Sequence, residues 1–116
     1  MYENGEGVRQ DFEKAREVYL NAANHGNDLA MTALGAMYAN GHGVNRDMKE
    51  AAAWTRKAAE AGNDQAMTNY GRFLFYGDGV ETNYEESLEW FKKAAELGNA
   101  EAAEWIPTVE KKLGIG

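Results

Sequence analysis

The sequence predicts an all-α protein, a solenoid of antiparallel helix pairs that forms a right-handed superhelix of about six helices. Three observations lead to this prediction. A Gly-x-Gly-Val pattern begins at residues 5, 41 and 77, so it recurs every 36 residues. Between these patterns, apolar residues recur at steps of three and four, which is typical of helices that bury one face. No convincing stretch of strict alternation indicates a strand, and stacked repeats bury the faces that a lone helix pair leaves open.

The 36-residue period also predicts the organisation of the chain as a single repeat domain spanning residues 1–116. Its parts are a partial repeat at residues 1–26, two repeats at 27–62 and 63–98, and a C-terminal closing helix at 99–116.

Capping residues predict where the helices of each unit begin. Asp47 precedes an apolar-periodic run, as Asp11 and Asn83 precede its copies, in the position of an N-cap. Glu86 stands three residues after Asn83, as in a capping box. The other helix of each pair is expected to begin at one of three asparagines, which are Asn27, Asn63 and Asn99.

Glycines are expected to end the helices and to form the turns. Three of them, at positions 26, 62 and 98, stand where a glycine adopts positive φ without steric cost. The Gly-x-Gly-Val patterns are expected to be the turns between the two helices of a pair. Their glycines are Gly5 and Gly7, Gly41 and Gly43, and Gly77 and Gly79.

Residue size predicts how the helices pack. Small residues on the helix faces allow axes to approach to about 8–9 Å, whereas tryptophans fill the wider gaps between units. The small residues are Gly35, Gly71, Ala58 and Ala94, and the tryptophans are Trp54 and Trp90.

The two ends depart from the repeat pattern. Residues 1–8 align with residues 37–44, so most of one helix of the first unit is missing and the helix from Phe12 to about His25 is expected to lack a neighbour. Either the chain is a fragment of a longer array, or another subunit covers this edge. Pro107 takes the register of Gly35 and Gly71. Because proline removes a backbone donor and clashes one turn back, the last helix is expected to kink or stop there.

Over nearly the whole chain, the pattern resembles the Sel1-like repeat, a relative of the tetratricopeptide repeat. The resemblance implies an α-solenoid whose members mostly act as adaptors that hold other proteins in complexes. A cysteine-rich branch of that family uses disulfides, and this chain, which has no cysteine, departs from it. The residues that carry the resemblance are Ala30…Leu34-Gly35…Tyr38…Gly41-x-Gly43-Val44…Asp47…Ala51…Trp54…Lys57-Ala58-Ala59…Gly62.

Composition and charge exclude several classes of partner. The absence of cysteine excludes disulfides and thiolate metal sites. The net charge of −7, from 12 basic and 19 acidic residues, repels phosphate backbones, so no nucleic acid is expected to bind. No apolar run approaches the ~18 residues that cross a bilayer, so no membrane insertion is expected. We expect a soluble protein, cytoplasmic by default, and periplasmic or secreted if an upstream signal was removed.

The sequence indicates neither catalysis nor a cofactor. Each Gly-x-Gly follows a helix, lacks a third glycine and has no Lys-Ser/Thr, so a phosphate-binding loop is not indicated. His25 and His42 have no histidine or cysteine at ligand spacing, so no metal site is expected. No Ser-His-Asp order appears. We therefore expect that the protein is not an enzyme and holds no cofactor.

The predicted function is to bind a peptide or protein partner on the concave face. In tetratricopeptide geometry the first helix of each unit lines that face, and the register then gives the inward positions. Arg72, Phe75 and Tyr76 are the most informative cluster, because arginine and aromatic residues dominate interface hot spots. The two aromatics have an alternative role, which is to pack on the following unit. A second hypothesis is self-association, with the N-terminal edge stacking on another copy. The predicted partner-binding residues are Thr32, Ala36, Asn40, Thr68, Arg72, Phe75, Tyr76 and Glu104.

Overall fold

The computed structural model describes the backbone of residues 6–42 and 44–115, and the side chains of these residues from position 11 onward. This part of the chain forms six helices and no strand. Each helix packs against the next, and α4 also touches α6. The molecule measures 52 × 27 × 23 Å, and the predicted α-solenoid is confirmed. The helices are α1 (Glu6–Asn24), α2 (Asp28–Asn40), α3 (Met48–Glu60), α4 (Asp64–Tyr76), α5 (Tyr84–Glu96) and α6 (Ala100–Leu113).

The asparagines predicted to start helices have two roles. Those before α2, α4 and α6 accept the N–H of the residue three positions on, over 2.8–2.9 Å. The side-chain amide of Asn63 also donates to Asp28 over 2.9 Å, and that of Asn99 donates to Asp64 over 3.0 Å. One side chain therefore caps its own helix and ties it to the preceding unit. Ala100, at the equivalent position of α6, has no carboxylate to accept such a bond.

The N-caps of α3 and α5 are confirmed, but the capping box is only half formed. Asp47 caps α3, and Asn83 accepts the N–H of Glu86 over 3.0 Å at the start of α5. The Glu86 carboxylate does not return to the cap, because it accepts from the indole N–H of Trp90 over 3.2 Å. The backbone N–H of Asn83 donates to the carbonyl of Leu74 over 2.9 Å. This last bond ties the start of α5 to the end of α4.

The predicted N-cap at Asp11 is wrong. Helix α1 begins at Glu6, so both Gly7 and Asp11 lie inside it. In the second unit the turn is held by the N–H of Asp47, which donates to the carbonyl of Tyr38 over 2.9 Å. The equivalent acceptor for Asp11 is residue 2, which lies outside the described residues. Residues 8–11 continue the helix, since the arginine and glutamine among them have high helix propensity.

The glycines predicted to end helices have positive φ, between 71° and 101°. They are Gly26, Gly41, Gly62, Gly77 and Gly98.

The turn glycine Gly79 also packs against a neighbouring helix. Gly79 has a φ of 71° and lies against the first turn of α3, where a Cβ would collide with the backbone carbonyl of Met48. No other residue fits this position without moving backbone. Gly5 and Gly43, the other turn glycines, lie outside the described residues.

Small residues bring the helices together as predicted. Ala58 and Ala94 are fully buried. A Cβ on Gly71 would lie 2.8–3.0 Å from the ring of Phe91, so the glycine allows α5 to press that ring onto α4. A Cβ on Gly35 would collide with the hydroxyl of Thr55, which occupies the register of Phe91.

Trp54 and Trp90 each lie under a lysine ammonium, which is 4.8 Å from the ring centroid at Trp54 and 5.4 Å at Trp90. The Trp90 ring also meets Tyr70 edge-on at 6.0 Å, which joins α5 to α4. Burial raises the pKa of the Tyr70 hydroxyl, and the positive charge of Arg56 acts in the opposite direction.

Of the two outcomes predicted at Pro107, a kink or a stop, the stop is wrong. The helix runs through Pro107 to Leu113 and ends at Gly114, which adopts the left-handed conformation. Proline removes the donor to the carbonyl four residues back, at Ala103. Both Pro107 and Ala103 are exposed, so water can satisfy that carbonyl. An exposed proline therefore does not end this helix.

Candidate functional site

An open cavity of about 320 Å³ lies between α4 and α6. These are the first helices of consecutive units, and they touch directly. Helix α4 contributes residues from its last turn, and α6 contributes residues from its middle. We call this cavity the aromatic groove. Its lining residues are Phe75, Tyr76, Glu104, Trp105 and Thr108.

Three aromatic rings form the walls of the aromatic groove. The ring of Tyr76 is nearly perpendicular to those of Phe75 and Trp105, with centroids 5.1 and 5.9 Å away. Phe75 and Trp105 meet at 5.3 Å and 63°. Each separation lies in the range of favourable edge-to-face contacts. The three rings therefore hold one another in fixed orientations.

The aromatic groove is supported from the core. The indole of Trp105 stacks on Phe91 at 5.3 Å, with the two rings 6° from parallel. Phe91 is completely buried and lies against Gly71, so it cannot move toward α4. Tyr84 at the start of α5 closes the inner side of the Phe75 ring at 5.3 Å. Helices α4, α5 and α6 thus all contribute to positioning the groove.

An ion pair lies one helical turn from the aromatic groove. The guanidinium of Arg72 is 3.5 Å from the carboxylate of Glu101, and both side chains are 43% exposed. Arg72 stands four residues before Tyr76, and Glu101 stands three residues before Glu104. Residues at these spacings share a helix face. The pair therefore lies on the same side of α4 and α6 as the groove.

The charge of the aromatic groove itself is negative. Glu104 is exposed and makes no hydrogen bond or salt bridge within residues 11–42 and 44–115. No lysine or arginine lines the cavity. Since Glu101 is paired with Arg72, the carboxylate of Glu104 is the uncompensated charge at this site.

The structure brings together four of the predicted partner-binding residues. Phe75, Tyr76 and Glu104 line the aromatic groove, and Arg72 is one turn away. The alternative role of the aromatics is also present, because both rings contact Trp105 of the following unit. Tyr76 nevertheless remains 60% exposed.

The other predicted residues lie elsewhere. Ala36 and Asn40 are exposed on α2, and Thr32 is half-buried there, with its hydroxyl donating to the carbonyl of Asp28 over 2.9 Å. Thr68 is completely buried, and its hydroxyl donates to the carbonyl of Asp64 over 3.1 Å. The expectation that Thr68 contacts a partner is therefore corrected, since its side chain has no exposed surface.

Sequence reasoning missed Trp105, the largest side chain of the site. The sequence does contain a signal for it. Trp54 and Trp90 are 36 residues apart and serve packing in equivalent places, whereas the equivalents of Trp105 are Asn69 and Ala33. A tryptophan that interrupts a repeat register is a candidate for a role outside the repeat.

Two other surface depressions are weaker candidates for a binding site. The larger, of about 750 Å³, is lined only by residues of α5 and its N-cap, so no second element converges on it. The other, of about 660 Å³, lies between α1 and the turn before α3, where Glu13 and Asp47 accompany Arg16 and Arg46. Of these three depressions, the aromatic groove is the one lined by more than one aromatic residue.

The histidines have local contacts. His25 Nδ1 lies 2.7 Å from the carbonyl oxygen of Asn21, and the His42 ring stacks on Phe12 at 5.0 Å. In the described residues, no group of three or more His, Asp or Glu side chains could hold a metal ion. Helices long and apolar enough to cross a membrane are likewise absent from this part of the chain.

Comparison with known proteins finds three matches to the Sel1 repeat, at residues 1–27, 28–63 and 64–99. The crystal structure of a Sel1 repeat protein from Oxalobacter formigenes is similar, with 39% identity, a TM-score of 0.79, and coverage of 81% of this chain and 39% of that one. A protective antigen present in uropathogenic Escherichia coli strains, which displays an SLR fold, has 34% identity and a TM-score of 0.82. That match covers 84% of this chain and 21% of the antigen.

Cysteine rich protein B of Helicobacter pylori shares the fold, with a TM-score of 0.69 at 22% identity over 87% of this chain and 98% of that one. The chain thus spans well under half the length of the first two similar structures. No curated protein matches the sequence.

Proposed function

The chain belongs to the Sel1 repeat family, whose fold is commonly a protein-interaction scaffold, and from this premise we propose that it binds a peptide segment of a partner protein in the aromatic groove. Helices α4 and α6 form the two sides of the binding surface. The partner segment would lie along the concave face, across the last turn of α4 and the middle of α6.

One observation carries this proposal. Tyr76 is 60% exposed, yet its ring is held in place by Phe75 and Trp105. A core needs no exposed tyrosine, whereas a binding surface gains from a rigid aromatic that loses little entropy when a partner covers it. Arginine and aromatic side chains also contribute most of the energy of typical protein interfaces.

The remaining residues have supporting roles in the proposal. Arg72 would donate a charged hydrogen bond to the partner, because a half-exposed ion pair leaves several of its N–H donors unused. Ala36 and Asn40 are the residues of α2 at the positions equivalent to Arg72 and Tyr76 of α4. They would line the continuation of the surface for a longer partner.

Selection from a random peptide library displayed on phage tests the proposal. The affinity of selected peptides is then measured for the protein and for the double variant Arg72→Ala, Tyr76→Ala. We expect the double variant to bind at least about tenfold more weakly, as loss of hot-spot contacts implies. Helicity and melting temperature should stay unchanged, because neither side chain is buried.

A matched control is Arg56→Ala with Tyr19→Ala, which removes an exposed arginine of another ion pair and another exposed tyrosine. This variant should bind the selected peptides as the unchanged protein does. Full-strength binding by the Arg72→Ala, Tyr76→Ala variant would refute the assignment of the partner site to the aromatic groove.

A further inference from the structure

We infer that the aromatic groove recognises a cationic side chain, a lysine or an arginine of a basic peptide segment. This inference rests on the proposed function and names the chemistry of its ligand. The cation would lie against the Tyr76 and Trp105 rings, with the carboxylate of Glu104 as its counter-ion.

The aromatic walls favour a cation. A lysine or arginine head group is attracted to an aromatic face within about 6 Å of the ring centroid. The protein uses this interaction twice within itself, where Lys57 covers Trp54 and Lys93 covers Trp90. Trp105, the remaining tryptophan, has no such cation among the described residues.

The polar atoms of the groove favour a cation as well. Glu104 contributes a carboxylate, and the hydroxyls of Tyr76 and Thr108 can accept hydrogen bonds. An ammonium or guanidinium group brings only donors, so it matches such a set of acceptors. Among the polar side-chain groups of the lining residues, only the indole N–H of Trp105 cannot accept a hydrogen bond.

Charge complementarity extends beyond the groove. The whole chain has a net charge of −7, which attracts a basic segment and repels an acidic one. The nearest arginine, Arg72, is paired with Glu101 at 3.5 Å. The charge of Arg72 is therefore already balanced by Glu101, whereas an acidic peptide would bring its own carboxylates toward the unpaired Glu104. The surface therefore selects a basic partner over an acidic one.

A pair of small probes tests the inference directly. Nα-acetyl-lysine methylamide and Nα-acetyl-norleucine methylamide both have a four-carbon side chain, and only the lysine probe has an ammonium group at its end. Each is titrated into the protein while the Trp105 indole N–H signal is followed by ¹H–¹⁵N NMR. We expect the lysine probe to shift this signal, with an affinity at least about fivefold above that of the norleucine probe, which corresponds to ~1 kcal/mol for the cation.

The variant Glu104→Gln keeps the size of the side chain and removes its charge. Since Glu104 has no partner in the described residues, the variant should fold normally and lose most of the preference for lysine. Glu89→Gln, which neutralises an exposed glutamate on α5, is the matched control and should keep that preference. Added salt should weaken the binding of the lysine probe and leave the binding of the norleucine probe unchanged.

Three results would overturn the inference: no shift with the lysine probe, equal affinity for both probes, or an unchanged lysine preference in the Glu104→Gln variant. These results leave the proposed function intact if phage-selected peptides still depend on Arg72 and Tyr76. Loss of that dependence would instead refute the proposed function. The two failures are therefore distinguishable.

Discussion

Helices α2 and α4 have the same framework and different surfaces. Both are 13 residues long, begin after an asparagine that caps the backbone, and end at a left-handed glycine. Both contain a buried glycine at the same register, Gly35 in one and Gly71 in the other. Toward their C-terminal ends their surfaces diverge, where α2 has Ala36, Ala39 and Asn40, and α4 has Arg72, Phe75 and Tyr76 at the equivalent positions.

Recurring and diverging residues therefore occupy different positions of one helix. Capping and close packing allow only a few residue types, so they recur every 36 residues. The outward positions of the last turn have no such requirement and can change from alanine to an aromatic residue without altering the fold. The aromatic groove lies where α4 has large residues at these outward positions, beside the tryptophan of α6.

The difference continues into the core behind each helix. Gly35 lies against Thr55, whereas Gly71 lies against Phe91 at the same register. Phe91 in turn stacks on Trp105, so the larger residue transmits support to the groove. The α2–α3 pair has no equivalent aromatic at this register. The third unit therefore has both a larger core and a structured surface.

The largest expected effect is that of Phe91→Ala. This substitution removes a completely buried ring and should lower the free energy of unfolding by about 3–5 kcal/mol. Thr55→Ala, at the equivalent register, should lower it by only about 1 kcal/mol. Urea denaturation followed by circular dichroism measures both. Equal losses for the two variants would contradict the view that the third unit carries the larger core.

A smaller effect is expected of Gly71→Ala. The added methyl group would meet the Phe91 ring at 2.8–3.0 Å. The ring cannot retreat, because the hydroxyl of Ser87, also on α5, donates to the Gly71 carbonyl over 2.7 Å in a buried site. We expect a loss of about 1–3 kcal/mol in the free energy of unfolding, as for other overpacked cores, measured by the same denaturation.

Gly35→Ala is the matched comparison for Gly71→Ala. Its methyl group would meet the hydroxyl of Thr55, which rotation about one bond can move, and would lie 3.3 Å from the backbone carbonyl of Ala51. The helix propensity of alanine is about 1 kcal/mol better than that of glycine at both positions, so the contacts of the added methyl group decide the difference. We therefore expect the smaller loss at Gly35. A larger loss there than at Gly71 would show that the two contacts are wrongly ranked.

Much of the fold could be predicted from the sequence, because caps and close-packing residues act locally and recur. Asn63, Asp47 and Gly62 were all placed correctly for this reason. The prediction for Asp11 was wrong, because α1 begins at Glu6 and Asp11 lies inside this helix instead of at its start. Of the kink or stop predicted at Pro107, the stop was wrong, because the carbonyl that loses its donor lies on an exposed face where water can bind it.

The site could be predicted only in part. The register identified Tyr76 and Glu104 as outward positions, and both line the aromatic groove. Thr68 occupies the same register as Glu104, yet it is buried. Thr32 shares this register and is half-buried, so the register alone does not determine the exposure of a side chain. Trp105 was missed because the 36-residue register draws attention to residues that recur, and the residues equivalent to Trp105 in the other units are not aromatic.

The smallest expected effect on stability is that of Arg72→Ala, and it separates framework from surface. The Arg72–Glu101 pair is 43% exposed at both ends, so its removal should change the free energy of unfolding by less than about 1 kcal/mol. Arg56→Ala, which breaks the exposed Arg56–Glu60 pair on α3, should change it equally little. The two variants should differ in peptide affinity alone. A loss of several kcal/mol for Arg72→Ala would mean that Arg72 belongs to the framework, and the division between recurring and diverging positions of α4 would fail.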